Sequence, residues 1–111
     1  MSQTRLQQLL AFWSDSPEDS FLLFAIAKEY EKLGQLEEAL SKYLELKKID
    51  PNYIGLYYHL GKLYEARGAA QMAWDTYSEG IRVARQVGDQ HALNELATAR
   101  LNLGDEEDFI P

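Results

Sequence analysis

Histidine is the side chain best suited to acid–base or metal chemistry near neutral pH, and this chain has two, His59 and His91. Glu95 follows His91 by four residues, so one helical turn would place the imidazole and the carboxylate on the same face. Two ligands do not make a metal site by themselves, since zinc sites use three or four protein ligands. We therefore interpret this pair as part of a solvated polar face.

No other residue pattern in the sequence predicts catalysis. The chain has no cysteine, which excludes disulfides, thiol nucleophiles and thiolate metal ligands. It also has no glycine-rich phosphate loop, no nucleophile-elbow serine and no HExxH zinc motif. The adjacent carboxylates Glu37 and Glu38 are predicted to face solvent, where Glu38 can pair with Lys42 one turn later. The sequence therefore predicts a protein that is not an enzyme and that binds no metal or cofactor.

The balance of charge and hydrophobicity limits the partners that the chain can bind. Of the 111 residues, 46% are hydrophobic, which is ordinary for a folded domain. Lysine and arginine number 11 and aspartate and glutamate 18, and the net charge of −7 disfavours nucleic acid and anionic membranes. The N-terminal apolar run is interrupted by glutamines, and no apolar stretch approaches the length needed to cross a bilayer. We expect an acidic, cytoplasmic protein that binds neither nucleic acid nor membrane.

The strongest pattern in the sequence is a repeat with a period of 34 residues. Identical residues recur at that interval in five places: Pro17 and Pro51, Tyr30 and Tyr64, Gly34 and Gly68, Ala39 and Ala73, and Tyr43 and Tyr77. A fixed period of this length indicates stacked supersecondary units. Each unit is too small to bury its own apolar face, so neighbouring units complete its core.

Each period is predicted to contain two helices. The apolar positions of the first helix step by three, one and three residues, as one helical face requires: Leu23, Ile26, Ala27 and Tyr30. Gly34 then permits the left-handed conformation that often ends a helix. Asp50–Pro51 stops the second helix, because the residue before a proline avoids the α region. Further along, Asp89 is the predicted N-cap of a last helix.

These signals divide the chain, taken as a single domain over residues 1–111, into five segments. In order they are an N-terminal half repeat (1–16), two full repeats (20–53 and 54–87), a C-terminal half repeat (90–104) and an acidic tail (105–111). The N-terminal segment fits because Leu9 lies 34 residues before Tyr43. Half repeats are expected at the ends, since the exposed ends of a stack need caps. The division predicts about six helices.

These residues resemble the tetratricopeptide repeat (TPR) family, whose period is about 34 residues. The matching positions are Leu23, Ile26–Ala27, Tyr30, Gly34, Ala39, Tyr43 and Pro51 in the first repeat, and Tyr57, Leu60–Gly61, Tyr64, Gly68, Ala73 and Tyr77 in the second. The chain departs from the family pattern at Gly80, where Ala is usual, at Arg85, where Pro is usual, and at Arg100, where Tyr is usual. Without the proline, we expect the fifth helix to run about one turn further, towards Val87. The resemblance implies an all-α fold, a right-handed superhelix of antiparallel helix pairs.

The resemblance also implies a concave groove, lined by the first helices of the repeats, that binds a peptide or a helix. The implied groove positions comprise an aromatic pair, a lysine pair, a glutamate pair and nearby residues: Phe21, Phe24, Lys28, Glu31, Tyr58, Lys62, Glu65, Asn94 and Thr98. An alternative is that the aromatic pair shields a shallow core while the lysines pair with the glutamates. The clamp that some family members use for a terminal carboxylate is excluded, because Asn94 and Thr98 stand where it needs cations.

The resulting prediction is a non-catalytic protein-interaction module, a scaffold or adaptor whose partner is a protein or peptide. Two alternatives are a structural subunit that forms homo-oligomers, using Phe12 and Trp13, and a secretion-type TPR chaperone. The acidic tail is either a solubilising segment or a ligand that fills the groove, with Phe109 and Ile110 against the aromatic pair.

Overall fold

The computed structural model describes residues 4–109, and all regular structure in that range is helical. The α-helices are α1 (Arg5–Asp15), α2 (Ser20–Lys32), α3 (Leu36–Ile49), α4 (Gly55–Ala66), α5 (Ala70–Val87) and α6 (Gln90–Leu103), followed by a 3-10 turn at Glu106–Asp108. The predicted all-α fold with six helices is confirmed. The helices form two compact units that divide between Tyr53 and Ile54.

Aspartate side chains cap the starts of α2 and α6, and glycines end the first helix of each repeat. The side chain of Asp19 accepts a hydrogen bond from the backbone N–H of Leu22 at 3.1 Å and caps α2. The side chain of Asp89 accepts from the backbone N–H of Ala92 at 2.9 Å and caps α6, as predicted. At the other ends, Gly34 and Gly68 have φ values of +77° and +76°, a conformation that a side chain would strain. The turns between paired helices therefore depend on glycine.

The core of the first unit lies between α2 and α3, with α1 against α2. Its buried apolar residues come from all three helices: Leu9, Leu23, Ile26, Ala27, Ala39, Leu40, Tyr43 and Leu46. The Ser20 hydroxyl donates a hydrogen bond to Asp50 Oδ2 at 2.7 Å, which joins the start of α2 to the end of α3. On α1 only Leu9 is buried, and Phe12 is 64% exposed although its place in the period matches the buried Leu46. The N-terminal half repeat therefore contributes little core.

The second unit is built from α4, α5 and α6, and two glycines set its closest contacts. A Cβ atom added to Gly61 would lie 2.6 Å from Cδ1 and Cζ of Tyr77 and closer still to Cε1. A Cβ atom added to Gly80 would lie 2.6 Å from Tyr57 Cβ and 3.0 Å from Leu96 Cδ1. Gly80 departs from the family pattern because α5 is packed closely there against both α4 and α6.

The length of α5 follows from its missing proline. The helix runs for 18 residues, through Arg85 to Val87, as the sequence predicted. It ends at Gly88, whose φ of +76° reverses the chain into α6. Leu93 follows Tyr57 by 36 residues, two more than the 34-residue period, and the longer α5 accommodates these two residues.

Candidate functional site

A surface pocket of about 300 Å³ lies between α4 and α6 in the second unit. It is lined by Tyr58 and Lys62 from α4 and by His91, Asn94, Glu95, Thr98, Ala99 and Asn102 from α6. Tyr58 and Lys62 are one helical turn apart, and the α6 residues recur every three or four positions, so each helix presents a single face. The pocket thus brings together four of the predicted groove residues, Tyr58 and Lys62 on α4 and Asn94 and Thr98 on α6. We call it the α4–α6 pocket.

The side chains of the α4–α6 pocket combine an aromatic ring, an ammonium and several polar groups. Lys62 Nζ lies 5.5 Å from the centre of the Tyr58 ring and 3.6 Å from Glu65 Oε2. Asn94 Oδ1 accepts a hydrogen bond from Gln90 Nε2 at 2.9 Å, and the Thr98 hydroxyl donates to the backbone oxygen of Asn94 at 2.9 Å. These contacts orient the side chains within their own helices and leave the pocket wall polar.

The first unit has a pocket of about 380 Å³ between the start of α1 and one face of α2. It is lined by Arg5, Phe21, Phe24, Ala25, Lys28, Glu29 and Lys32, and we call it the α1–α2 pocket. Phe21 is 66% exposed. Phe24 is half-buried, and its ring centre lies 6.1 Å from that of Tyr43 and 5.1 Å from that of Tyr53. Phe24 therefore covers the core of this unit and also forms part of the pocket.

Four residues of the α1–α2 pocket were not among those selected from the sequence: Arg5, Ala25, Glu29 and Lys32. Arg5 comes from α1, and its Nε lies 3.4 Å from Glu29 Oε1. Lys32 lies one turn beyond Lys28 on α2 and is exposed. The i, i+4 spacing of the two lysines was a usable signal for Lys32, whereas the approach of Arg5 depends on how α1 packs against α2.

Comparisons with known proteins bear on the fold and on the family. A family model described as TPR repeat matches residues 27–68. The solution structure of a tetratricopeptide repeat domain protein from Salinibacter ruber is 47% identical, with a TM-score of 0.76, over 78% of this chain and 88% of that one. The chain belongs to the TPR family. A crystal structure of a TPR domain protein from the same organism is 46% identical, with a TM-score of 0.74, over 77% of this chain and 96% of that one.

Two further relatives show the range of this likeness. A protein from Bordetella parapertussis, known from its solution structure, is 25% identical, with a TM-score of 0.81, over 92% of this chain and 89% of its own. The TPR repeat-containing protein YpiA of Bacillus subtilis is 35% identical over 68 residues, which are 61% of this chain. This TPR chain spans only 16% of the length of that relative.

Glu31 and Glu65, the predicted groove glutamates, bond to the second helix of their own TPR repeat. Glu31 accepts a hydrogen bond from the Tyr43 hydroxyl, and Glu65 accepts one from the Tyr77 hydroxyl. Burial raises the pKa values of the Tyr43 and Tyr77 phenols well above the ordinary tyrosine value. The neighbouring carboxylates, Glu31 and Glu65 respectively, raise these pKa values further. The phenols therefore remain protonated donors near neutral pH. Glu65 also lies beside Lys62, as the alternative interpretation of the groove expects.

The acidic tail contacts α5 in the second unit. The Phe109 ring stacks on Trp74, with ring centres 4.5 Å apart and planes 7° apart. Gln71 Nε2 donates a hydrogen bond to the backbone oxygen of Phe109 at 3.1 Å. The Arg100 guanidinium lies 5.0 Å from the Trp74 ring centre and donates to the Ser78 hydroxyl at 3.0 Å.

The hypothesis that the tail fills the groove is therefore wrong for Phe109. Its aromatic partner is Trp74, and neither Phe24 nor Tyr58 takes that place. Trp74 is half-buried and lies on a second helix, whereas the family pattern pointed only to aromatic residues of the first helices as partners of the tail. Ile110, the other apolar residue of that hypothesis, lies outside the described residues.

Within residues 4–109, no group of three or more His, Asp or Glu side chains is arranged to hold a metal ion. His91 and Glu95 both line the α4–α6 pocket but belong to no such group there. No helix in the same range has the length and apolar character needed to span a bilayer.

Proposed function

We propose that this TPR protein is a non-catalytic interaction module that binds a peptide or helix of a partner protein on the first helices of its repeats. TPR domains generally mediate protein–protein interactions. The observation that supports the finer proposal is the α4–α6 pocket, where Tyr58, Lys62, Asn94 and Thr98 converge from two helices.

The chemistry of this pocket suits a polypeptide. The Tyr58 ring offers apolar area at low entropic cost, and the Lys62 ammonium attracts carboxylate or carbonyl oxygens. The carboxamides of Asn94 and Asn102 carry both donors and acceptors, as the backbone of a bound peptide requires. A volume of about 300 Å³ is at the lower end of ligand pockets, so it suits one or two side chains of a larger partner.

The test is capture of a partner by matched variants. The chain is immobilised and exposed to an extract of the source cell, and retained proteins are identified by mass spectrometry. The double variant Lys62→Gln and Asn94→Ala should lose the specific partner, because it removes the ammonium and one carboxamide from the pocket wall. The control Arg82→Gln removes one exposed charge on α5, outside the pocket, and should capture as wild type does.

The proposal is wrong if the double variant and the control retain the same proteins in the same amounts. Circular dichroism of each variant shows whether the fold is intact. Asn94 is exposed and Lys62 is only partly covered, so we expect helicity and melting close to wild type. An effect on capture can then be assigned to the pocket.

Self-association is a second candidate function, supported by the apolar residues that the first unit exposes. Phe12 on α1 and Phe21 on α2 are 64% and 66% exposed. Trp13, which the sequence suggested for the same role, is already engaged, since its Nε1 donates to the backbone oxygen of Pro17 at 3.1 Å and Lys42 Nζ lies 4.2 Å from its ring centre. Light scattering after size exclusion would separate a monomer from a self-associating subunit. Phe12→Ser should then dissociate any oligomer.

A further inference from the structure

We infer that the α1–α2 pocket is a separate recognition site for a short peptide that carries an aromatic side chain followed by acidic side chains at alternate positions. This inference extends the proposed function, since Phe24 and Lys28 belong to the predicted groove. The site lies in the first unit alone, and it adds Arg5 and Lys32 to the predicted groove residues.

Cationic side chains outnumber carboxylates at the α1–α2 pocket. Its lining has three cationic side chains, Arg5, Lys28 and Lys32, and one carboxylate, Glu29, in a chain whose net charge is −7. The Glu29 side chain is only 11% exposed and lies 3.4 Å from Arg5, so its charge is directed at the arginine. Lys28 and Lys32 are both exposed. The local field of the pocket therefore attracts carboxylates.

The other end of the same face of α2 is apolar, with Phe21, Phe24 and Ala25. Phe21 is 66% exposed, and Phe24 and Ala25 beside it are partly covered. Phe24 is fixed by its ring contacts with Tyr43 and Tyr53, so this floor is rigid. A rigid aromatic surface binds an aromatic or aliphatic side chain with little loss of entropy.

The spacing along α2 defines the order of residues in the ligand. Lys28 and Lys32 are one turn apart, about 6 Å along the helix axis. Side chains on one face of an extended peptide are about 6.6 Å apart, which matches this interval. An aromatic side chain seated between Phe21 and Ala25 would lie roughly 7 Å before Lys28 along the axis. An extended segment of aromatic–x–acidic–x–acidic type therefore fits the face.

The same charges disfavour a long polyanion. A peptide with two carboxylates meets only the local cations, whereas a nucleic acid strand or an anionic bilayer also meets the field of a chain with net charge −7. The observations thus favour a short acidic peptide over these other anionic partners.

The test uses the pentapeptide acetyl-Phe-Ser-Glu-Ser-Glu-amide and the full chain labelled with ¹⁵N. Amide shifts should move with peptide concentration at Phe21, Lys28 and Lys32. The analogue with both Glu residues replaced by Gln, and the analogue with Ala in place of Phe, should each bind more weakly. Binding should also weaken with added salt, because the paired charges are exposed.

Variants then assign the effect to the two halves of the pocket. Lys28→Gln with Lys32→Gln should raise the Kd of the acidic peptide about 3- to 30-fold, as expected for two exposed ion pairs. Phe21→Ser should raise it about 2- to 10-fold through the lost ring contact. The matched control Lys48→Gln changes an exposed lysine on α3 and should leave the Kd unchanged. All of these positions are exposed, so the variants should keep the wild-type melting curve.

Several results would overturn the inference. They are the absence of shifts in α2, equal binding of the Glu and Gln peptides, and an unchanged Kd in the double lysine variant. Tighter binding of oligouridine or of phosphatidylserine vesicles than of the peptide would also overturn it. Shifts confined to α4 and α6 would refute this site while still supporting peptide binding at the α4–α6 pocket. The capture experiment with Lys62→Gln and Asn94→Ala tests only the α4–α6 pocket, so its failure would refute the proposed function without affecting this inference.

Discussion

Gly61→Ala should destabilise the protein, although alanine is the better helix former. In an open helix the exchange would stabilise by about 1 kcal/mol. At position 61 the new methyl group would lie 2.6 Å from two carbons of the Tyr77 ring and closer to a third, against an ordinary contact of 3.4–4 Å. The ring must therefore shift by about 1 Å, or α4 and α5 must separate.

The expected loss follows from what holds Tyr77 in place. Its side chain is fully buried, and its hydroxyl donates to Glu65 across the helix pair. Overpacking of a core typically costs about 1–3 kcal/mol, and weakening a hydrogen bond to a carboxylate, which is worth about 1.5–3 kcal/mol when intact, costs about 1 kcal/mol more. After subtracting the gain in helix propensity, we expect a net loss of about 1–3 kcal/mol. Ala27 and Tyr43 occupy the same positions in the first repeat, so this repeat type can adapt to the methyl group, and the lower half of the range is favoured.

The assay is urea unfolding followed by circular dichroism. A loss of 1–3 kcal/mol should lower the midpoint by about 1 M. Ala11→Gly on the exposed face of α1 measures the propensity term by itself, about 1 kcal/mol. In a Tyr77→Leu background, where the ring is absent, Gly61→Ala should become neutral or stabilising. The reasoning is refuted if Gly61→Ala is as stable as wild type, or if its cost is the same in both backgrounds.

Two further predictions concern tyrosine ionisation and the tail. Stability should fall as the pH rises above 10, because Tyr43 and Tyr77 ionise near 10.0 when unfolded but keep raised pKa values when folded. In the double variant Tyr43→Phe and Tyr77→Phe, the urea midpoint should fall less steeply with pH over the same range. Equal slopes of midpoint against pH in the variant and the wild type would show that these two tyrosines do not cause the loss. Deletion of the residues after Gly104 should remove Phe109 from Trp74, cost about 0.5–1.5 kcal/mol and change tryptophan emission. It should leave peptide binding at the α4–α6 pocket unchanged, and tighter binding would revive the tail as a competitor.

Most of the fold could be predicted because its determinants are local. Each determinant acts within one helical turn of its own position. Examples are the positive-φ glycines Gly34 and Gly68, the N-cap Asp89, and Asp50, where α3 ends. The extension of α5 to Val87 followed from the absence of a proline, which is also a local rule. Such features do not depend on how distant helices pack.

The candidate site could be predicted only in part, because exposed positions depend on packing between helices. Tyr58 and Lys62 on α4 and Asn94 and Thr98 on α6 were all selected through the family resemblance, and the way the two helices pack brings them to one pocket. Arg5 was missed because its approach to Glu29 depends on how α1 packs against α2. The tail was assigned to the wrong partner because complementary charge and hydrophobicity do not identify which aromatic ring Phe109 stacks on, and that ring is Trp74.

The two TPR repeats show why buried and exposed positions carry different information. The hydrogen bond from Tyr43 to Glu31 recurs as the bond from Tyr77 to Glu65, so packing fixes these residues in both units. Lys28 and Lys62 lie three residues before these glutamates and follow the same period, but their surroundings differ. Lys28 faces a cationic pocket with exposed phenylalanine, whereas Lys62 faces a wall of carboxamides and hydroxyls. Residues that repeat for packing thus hold lysines at equivalent positions, while the residues that vary around them give the two pockets different sets of side chains.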